Sequence, residues 1–409
     1  MREPRGLWSI GPPWIPLVWV LATASLLIGL RHGFYLDDFT WLERAHLAGH
    51  SLLRAVTPWK SYEVRSVGQL LYWIEYLVFR DHAWGYNLVS FALHVAVSLL
   101  VVRLARAGGV PTRSAALAGM LFYAGVGHYT KPVAWSCAQV IVLATLFALA
   151  AVVRFLEVDI HRARFPILPI LLLVLGLATH EVVLLAPLGL ALLAETARHP
   201  ARRALWIVGA LITGTYFALT LSYHLSHPVA HGSVRSVFEN LFLFPAAYLF
   251  TPQATKVVSR LGALGVPGDE LLAAVRLALM AVGALLLIFG ARIAWRAEPR
   301  LRAIIAFGLL LFLPVLPMPV QENWLEVRYL YPTTSFLLPA MTLGMAALLA
   351  RAPLGRRGLL RFVFGIWLIG VLGGAAYVQH RAYQESHLPR VQQRWERLSD
   401  VREGRPPRW

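Results

Sequence analysis

Two adjacent carboxylates, Asp37 and Asp38, follow the first long apolar run in Arg31-His-Gly-Phe-Tyr-Leu-Asp-Asp-Phe-Thr40. A carboxylate held beside a hydroxyl can take its proton as the oxygen attacks. Cations suited to a departing phosphate recur further along the chain. Arg65 precedes an amphipathic stretch, and His128 and Lys131 lie in Gly127-His-Tyr-Thr-Lys-Pro-Val-Ala-Trp135. His180-Glu181 forms a short turn between apolar runs, and Arg328 and Tyr329 lie in Glu326-Val-Arg-Tyr-Leu-Tyr-Pro332. These types suit group transfer from a lipid phosphate to a hydroxyl. The chain shows no Gly-rich phosphate loop after a strand, so a soluble nucleotide donor has no evident seat. Each piece also has a plainer reading. Asp37 and Asp38 suit the start of a helix, His180-Glu181 suits a tight turn, and Arg328-Tyr329 suits an interfacial anchor.

The elements that must bring these residues together are membrane helices. Of 409 residues, 58% are hydrophobic and 14% charged, with a mean hydropathy of +0.60. Soluble domains carry about 25% charged residues, so the balance is that of a polytopic membrane protein. The net charge of +17 comes mainly from arginines between apolar runs. That is the positive-inside pattern and not a nucleic-acid footprint. Apolar runs mark spans near 14–30, 84–104, 114–126, 138–153, 166–178, 182–195, 204–222, 270–291, 303–317, 330–350 and 362–378. The fold class is thus an all-α bundle of about eleven spans, or twelve if 237–251 also crosses. Pro245 inside that segment favours a re-entrant or interfacial one.

The first span reads as uncleaved, with a cytoplasmic N-terminus. The basic connectors should be cytoplasmic and the loop 31–83 external. Within that loop Thr40-Trp-Leu-Glu43 has capping-box spacing, which starts a helix at Thr40. Val67, Leu70, Leu71, Ile74, Leu77 and Val78 mark a second amphipathic helix at the membrane surface. Residues 1–378 form the bundle, and 379–409 a basic tail with seven arginines and four acids, read as a solvated helix. A single cysteine, Cys137, excludes an intramolecular disulfide and a cysteine metal cluster. His94 reads as an interhelical hydrogen bond. Pro228 breaks up His224, His227 and His231, so no metal or other cofactor is predicted, although a divalent ion would be compatible.

An ordered set of motifs then resembles a known family. It comprises Tyr35-Leu-Asp-Asp38, Arg65, Tyr86-Asn-Leu-Val-Ser-Phe-Ala-Leu-His94, Leu121-Phe-Tyr with His128 and Val133-Ala-Trp135, His180-Glu181 with Pro187, and Glu326–Pro332. The set resembles the polytopic C-type glycosyltransferases that use polyprenyl-phosphate-linked sugars, in particular bacterial membrane proteins related to protein O-mannosyltransferases. The resemblance covers most of 30–190 and returns near 330. It implies an inverting, hexosyltransferase-type enzyme of the bacterial inner membrane, acting on the periplasmic face. A monosaccharide would pass from a polyprenyl-phosphate carrier to a hydroxyl of a glycan, lipid or protein. Asp37 or Asp38 would be the base. Arg65 and Arg328, with His180 and Lys131, would hold the donor phosphate, supported by Glu181, His128 and Tyr329.

Two departures stand out. Relatives usually have Lys-Glu where this chain has His180-Glu181, which implies a cation titrating near neutrality and a pH-sensitive donor site. They also tend to carry an acid where this chain has Lys131-Pro132. Two rival classes predict other features. A ligase or polymerase for lipid-linked oligosaccharides predicts a large late external loop, which the chain lacks. A transporter or flippase predicts ionisable residues deep in spans and broken helices in paired halves.

Overall fold

The computed structural model describes residues 14–35, 37–57, 64–126, 128, 130–162, 164–226, 234–247, 297–316 and 327–403, with isolated helical positions between 274 and 296. At 14–16, 221–226, 234–236, 244–247, 327, 348–351 and 354 the description is of backbone only. Among these residues there is no strand. Ten of the eleven predicted spans carry a helix. They are α1 (Trp14–Gly29), α5 (Ala83–Ala107), α6 (Thr112–Tyr123), α7 (Gln139–Glu157), α8 (Ile167–Leu177), α9 (Ala186–Thr196), α10 (Arg202–Ser226), α12 (Pro299–Phe312), α13 (Leu330–Arg351) and α14 (Leu354–Ser386). The eleventh, 270–291, lies outside the described residues apart from those isolated helical positions. Four helices among the described residues are long and apolar enough to cross a membrane alone. The shorter ones fall below the roughly 20 residues of a straight span and rely on packing against neighbours. The segment 237–251 falls on α11 (Val234–Ala247), also short for a span, and its last four residues lie outside the described set.

Helix α7 is the most enclosed of the four long helices, and α5 and α8 pack along it. Its inward positions include Val142, Ala144, Ala148 and Val152, small or β-branched residues that allow close approach. Helices α13 and α12 close the bundle against α6 and α9, and α1 packs on α14. His94 ties three helices together, accepting from the Tyr331 hydroxyl at Nδ1 (2.7 Å) and donating from Nε2 to the Tyr123 carbonyl (3.1 Å). The interhelical role read from the sequence is therefore observed.

The bundle has two chemically distinct ends. At one, the basic connectors meet: Arg103 pairs with Glu157, and His199 Nε2 lies 2.8 Å from the Arg162 carbonyl. At the other end lie the first loop, the 124–138 turn, the 178–185 turn and the start of α13.

The first loop contains three short helices, one more than the amphipathic pattern suggested: α2 (Asp38–Ala48), α3 (Leu52–Val56) and α4 (Ser66–Phe79). Helix α2 starts at Asp38, not at Thr40, so the Thr40–Glu43 capping box does not form. The Asp38 carboxylate fixes that earlier start by accepting the Tyr35 amide (3.0 Å). Helix α4 is two-sided. Gln69, Tyr72 and Glu75 are buried, whereas Ile74 and Val78 turn outward. Its first turn is pinned by Val67 N–H donating to the Ala178 carbonyl (2.9 Å). Gly68 permits that approach, because a Cβ there would lie 2.8 Å from Val140 and 3.0 Å from the Thr179 carbonyl oxygen.

The tail is not a free solvated helix. Helix α14 continues unbroken through residue 378 to Ser386, and α15 (Pro389–Arg402) folds back onto the first loop. Its inward residues Val391, Trp395 and Leu398 meet that surface, and Arg402 pairs with Asp81 through both nitrogens (2.5 and 2.7 Å).

Candidate active site

Asp38 is fully buried, and both its carboxylate oxygens are committed. Oδ2 accepts the Tyr35 amide at 3.0 Å and Oδ1 accepts the Cys137 amide at 2.7 Å. The Tyr35 hydroxyl donates in turn to the Ala134 carbonyl (3.0 Å), so residues 35–38 and 134–137 form one sewn unit. Burial pushes the Asp38 carboxyl up to about 7, against the two amides, which favour its charged form. Asp37, next in sequence, points the other way. It is exposed, its side chain makes no capping hydrogen bond to α2, and it lines a cavity. The two neighbouring aspartates thus divide into a structural tie and a group available for chemistry.

That cavity has a volume of about 190 Å³, and its walls include Asp37, Trp41, Arg65, Trp135, His180, Arg328 and Tyr329. It is smaller than the roughly 300–1,000 Å³ of sites for drug-sized ligands, and fits a polar headgroup better than a lipid chain. Five of the nine residues singled out in the sequence come together in it: Asp37, Arg65, His180, Arg328 and Tyr329. They arrive from four separate parts of the chain.

Arg65 holds Glu181 in a two-pronged contact, Nε to Oε2 at 3.0 Å and Nη2 to Oε1 at 2.5 Å. Burial would push the Glu181 carboxyl up, but the Arg65 guanidinium outweighs it and holds the group well below the usual carboxylate range. Glu181 therefore orients Arg65 and does not itself line the cavity. Arg328 lies over the Trp135 ring (4.5 Å to its centroid) and the Tyr329 ring (4.9 Å), and donates to the Tyr329 hydroxyl at 3.2 Å. Guanidinium planes held against aromatic faces are fixed in orientation.

The expectation that His180 titrates near neutrality is overturned. The side chain is buried and its Nδ1 accepts the Val182 amide (3.1 Å), which places the proton on Nε2. Burial, joined by Arg65 and Arg328, outweighs Glu181 and brings its pKa down to about 3. His180 is a neutral N–H donor at physiological pH, not a cation. Two further candidates fall outside the cavity wall. His128 is buried inside the bundle, donating from Nε2 to the Phe122 carbonyl and accepting the Thr130 amide at Nδ1, both at 3.1 Å. Its ring packs on Tyr331 at 4.6 Å, and burial drives its pKa well below the usual value. Lys131 is half-buried in the same turn but is not among the cavity-lining residues. Glu326 lies outside the described residues.

Trp41 and Trp135 were not singled out as site residues. Their signal was present in the motif around Trp135, but an isolated tryptophan at an interface reads equally well as a membrane anchor. Among the described residues no group of three or more His, Cys, Asp or Glu is arranged to hold a metal. Of the three-histidine stretch, His227 and His231 lie outside the described residues.

No family model matches this chain, and no curated protein matches it either. Solved structures do. ArnT from Cupriavidus metallidurans in its apo state aligns with a TM-score of 0.51 at 15% identity, over 90% of this chain and 77% of ArnT. ArnT bound to undecaprenyl phosphate aligns at 0.45 and 15% identity, over 96% and 78% of the two chains. The Archaeoglobus fulgidus oligosaccharyltransferase complex with zinc and sulfate aligns at 0.47 and 14% identity, over 88% and 53%. The chain is an all-α, multi-pass membrane protein that shares its fold with ArnT.

Proposed function

We propose that this chain, built on the C-type glycosyltransferase fold, moves a monosaccharide from a polyprenyl-phosphate carrier to a hydroxyl on the non-cytoplasmic face. The observation that carries the reading is the cavity itself, where one exposed carboxylate faces two oriented guanidinium groups and a neutral imidazole N–H. Asp37 takes the proton of the acceptor hydroxyl, and that oxygen forms the new bond to the anomeric carbon. The bond from that carbon to the phosphate oxygen breaks from the opposite face, inverting the centre. Its electron pair leaves with the lipid phosphate, where Arg65, Arg328 and His180 Nε2–H balance the charge. Glu181 orients Arg65, Tyr329 orients Arg328, and Asp38 holds the loop that carries Asp37. No step calls for a metal.

The side of the membrane follows from charge. The basic connectors gather at the end opposite the cavity, and the positive-inside rule assigns such an end to the cytoplasm. In a bacterium that puts the cavity on the periplasmic side of the inner membrane. The acceptor is a glycan, lipid or protein carrying a free hydroxyl.

Purified protein in liposomes containing radiolabelled polyprenyl-phosphate sugars and a membrane extract as acceptor tests the reading. Transfer yields a labelled product with a new glycosidic bond and frees polyprenyl phosphate. Movement of intact label across the bilayer without a new bond would replace the enzyme with a transporter, and transfer only when a diphosphate-linked oligosaccharide is supplied, passing the whole chain to the acceptor and freeing the lipid diphosphate, would replace it with a ligase.

A further inference from the structure

Asp37 is exposed, so its own contacts do not fix it; the backbone on either side must. Phe34, three residues before Asp37, and Phe39, directly after Asp38, are both buried. Both rings meet one side chain from the far end of the sequence. Trp395 on α15 meets Phe39 edge-on, with centroids 5.1 Å apart and planes at 88°, and lies 6.0 Å from Phe34. The same C-terminal segment holds the loop at further points. Ser386 Oγ accepts the Gly33 amide at 3.1 Å, Arg397 reaches Glu43 at 4.0 Å, and Arg402 holds Asp81.

We infer that α15 is a clamp and Trp395 a positioning residue for the reaction, acting through Phe34 and Phe39 to hold Asp37 over the cavity. The inference rests on the transfer reading for the purpose of the clamp. The mechanical part stands on the contacts alone. Apart from buried Val391, Leu398 and Asp400 and half-buried Trp395 the helix is largely polar and exposed, so it stays in place through these few contacts and ion pairs. A misplacement on the order of 1 Å at a reacting group can cost about 100-fold in rate. A clamp that removes such freedom therefore acts on the chemical step while leaving the phosphate-holding residues untouched.

Amide hydrogen exchange on the full chain in lipid nanodiscs tests this, alongside binding of undecaprenyl phosphate as probe. Trp395→Ala removes aromatic pairs worth about 0.5–1.5 kcal/mol, so exchange across 33–40 should rise by up to about tenfold. Trp395→Phe should restore most of the protection. Undecaprenyl phosphate affinity should stay within about twofold in both, because Arg65 and Arg328 are unaltered. As a second route, Arg402→Asp and Asp81→Arg should each loosen 33–40, and the double reversal should restore it. Unchanged exchange across 33–40 in Trp395→Ala and in both single reversals would overturn the clamp and leave the transfer reading intact. Equal loss of probe affinity and protection throughout the bundle would also overturn it, showing Trp395 to be a general folding residue. Wild-type protein that keeps 33–40 protected yet binds no undecaprenyl phosphate would strike at the transfer reading instead.

Discussion

The two aspartates invite one interpretation and have two. Asp38 spends both oxygens on backbone amides, so Asp38→Ala should leave the Tyr35 and Cys137 amides buried without partners. Each costs roughly 1–3 kcal/mol, which thermal unfolding in detergent should register as a clear loss of stability. Asp37→Ala should leave stability nearly unchanged. The protonation of Asp38 adds a pH signature. Its folded pKa of about 7 lies above the roughly 3.9 of an unfolded aspartate, so the folded state binds the extra proton between those values. Stability contributed by this group therefore falls as pH rises from about 4 through 7, and Asp38→Asn should flatten that slope. At His180 the sign is reversed: a folded pKa near 3 means neutrality throughout the working range. Transfer by His180→Asn, which retains an N–H donor, should follow the same pH profile as the parent between pH 6 and 8. An inflection near 6.5 that disappears in this variant would restore the titrating imidazole. The residue types were legible from spacing, but their roles were not. Sequence cannot say which of two adjacent carboxylates faces inward, nor that Val182 would occupy His180 Nδ1.

At the scale of elements, hydropathy periodicity placed ten helices, nine within about five residues at either end and α14 eight residues short at each end, because a lipid-facing helix must satisfy its backbone internally and must be apolar to do so. The first loop was harder. Capping-box spacing suggested Thr40, yet with Asp38 accepting the Tyr35 and Cys137 amides α2 starts two residues earlier, and α3 is too short to show a period. The docking of α15 was invisible for a different reason. Its seven-residue pair Val391 and Leu398, with Trp395 between, is too sparse to stand out in an arginine-rich tail. Helix α4 offers a direct check on the surface-lying reading. Nitroxide labels at Ile74 and Val78 should be accessible to oxygen dissolved in the bilayer and shielded from a water-soluble relaxant. A label at Gln69 should be shielded from both, and free access of the aqueous relaxant to position 78 would contradict an interfacial α4.

Across the whole molecule, the two ends of the bundle gather different groups. Arginine connectors meet at one pole, and the carboxylate, guanidinium and imidazole groups converge at the other. Fold class was legible in the sequence because composition and span spacing are global properties. Convergence of positions 37, 65, 180 and 328 into one cavity was legible only as an expectation about sidedness, since sequence reports which end a turn occupies but not which turns touch. Thiol labels introduced at Ser51 and at Arg106 should react from opposite sides of sealed vesicles, with Ser51 outside. The most direct measurement compares the parent chain with Asp37→Asn in liposomes, following both undecaprenyl phosphate affinity and the rate of sugar transfer. Loss of a general base costs about 100-fold or more in rate while the anion-holding side of the cavity stays whole. Near-abolished transfer with undiminished lipid-phosphate binding is the expected result; equal transfer rates in the two proteins would contradict Asp37 as the base.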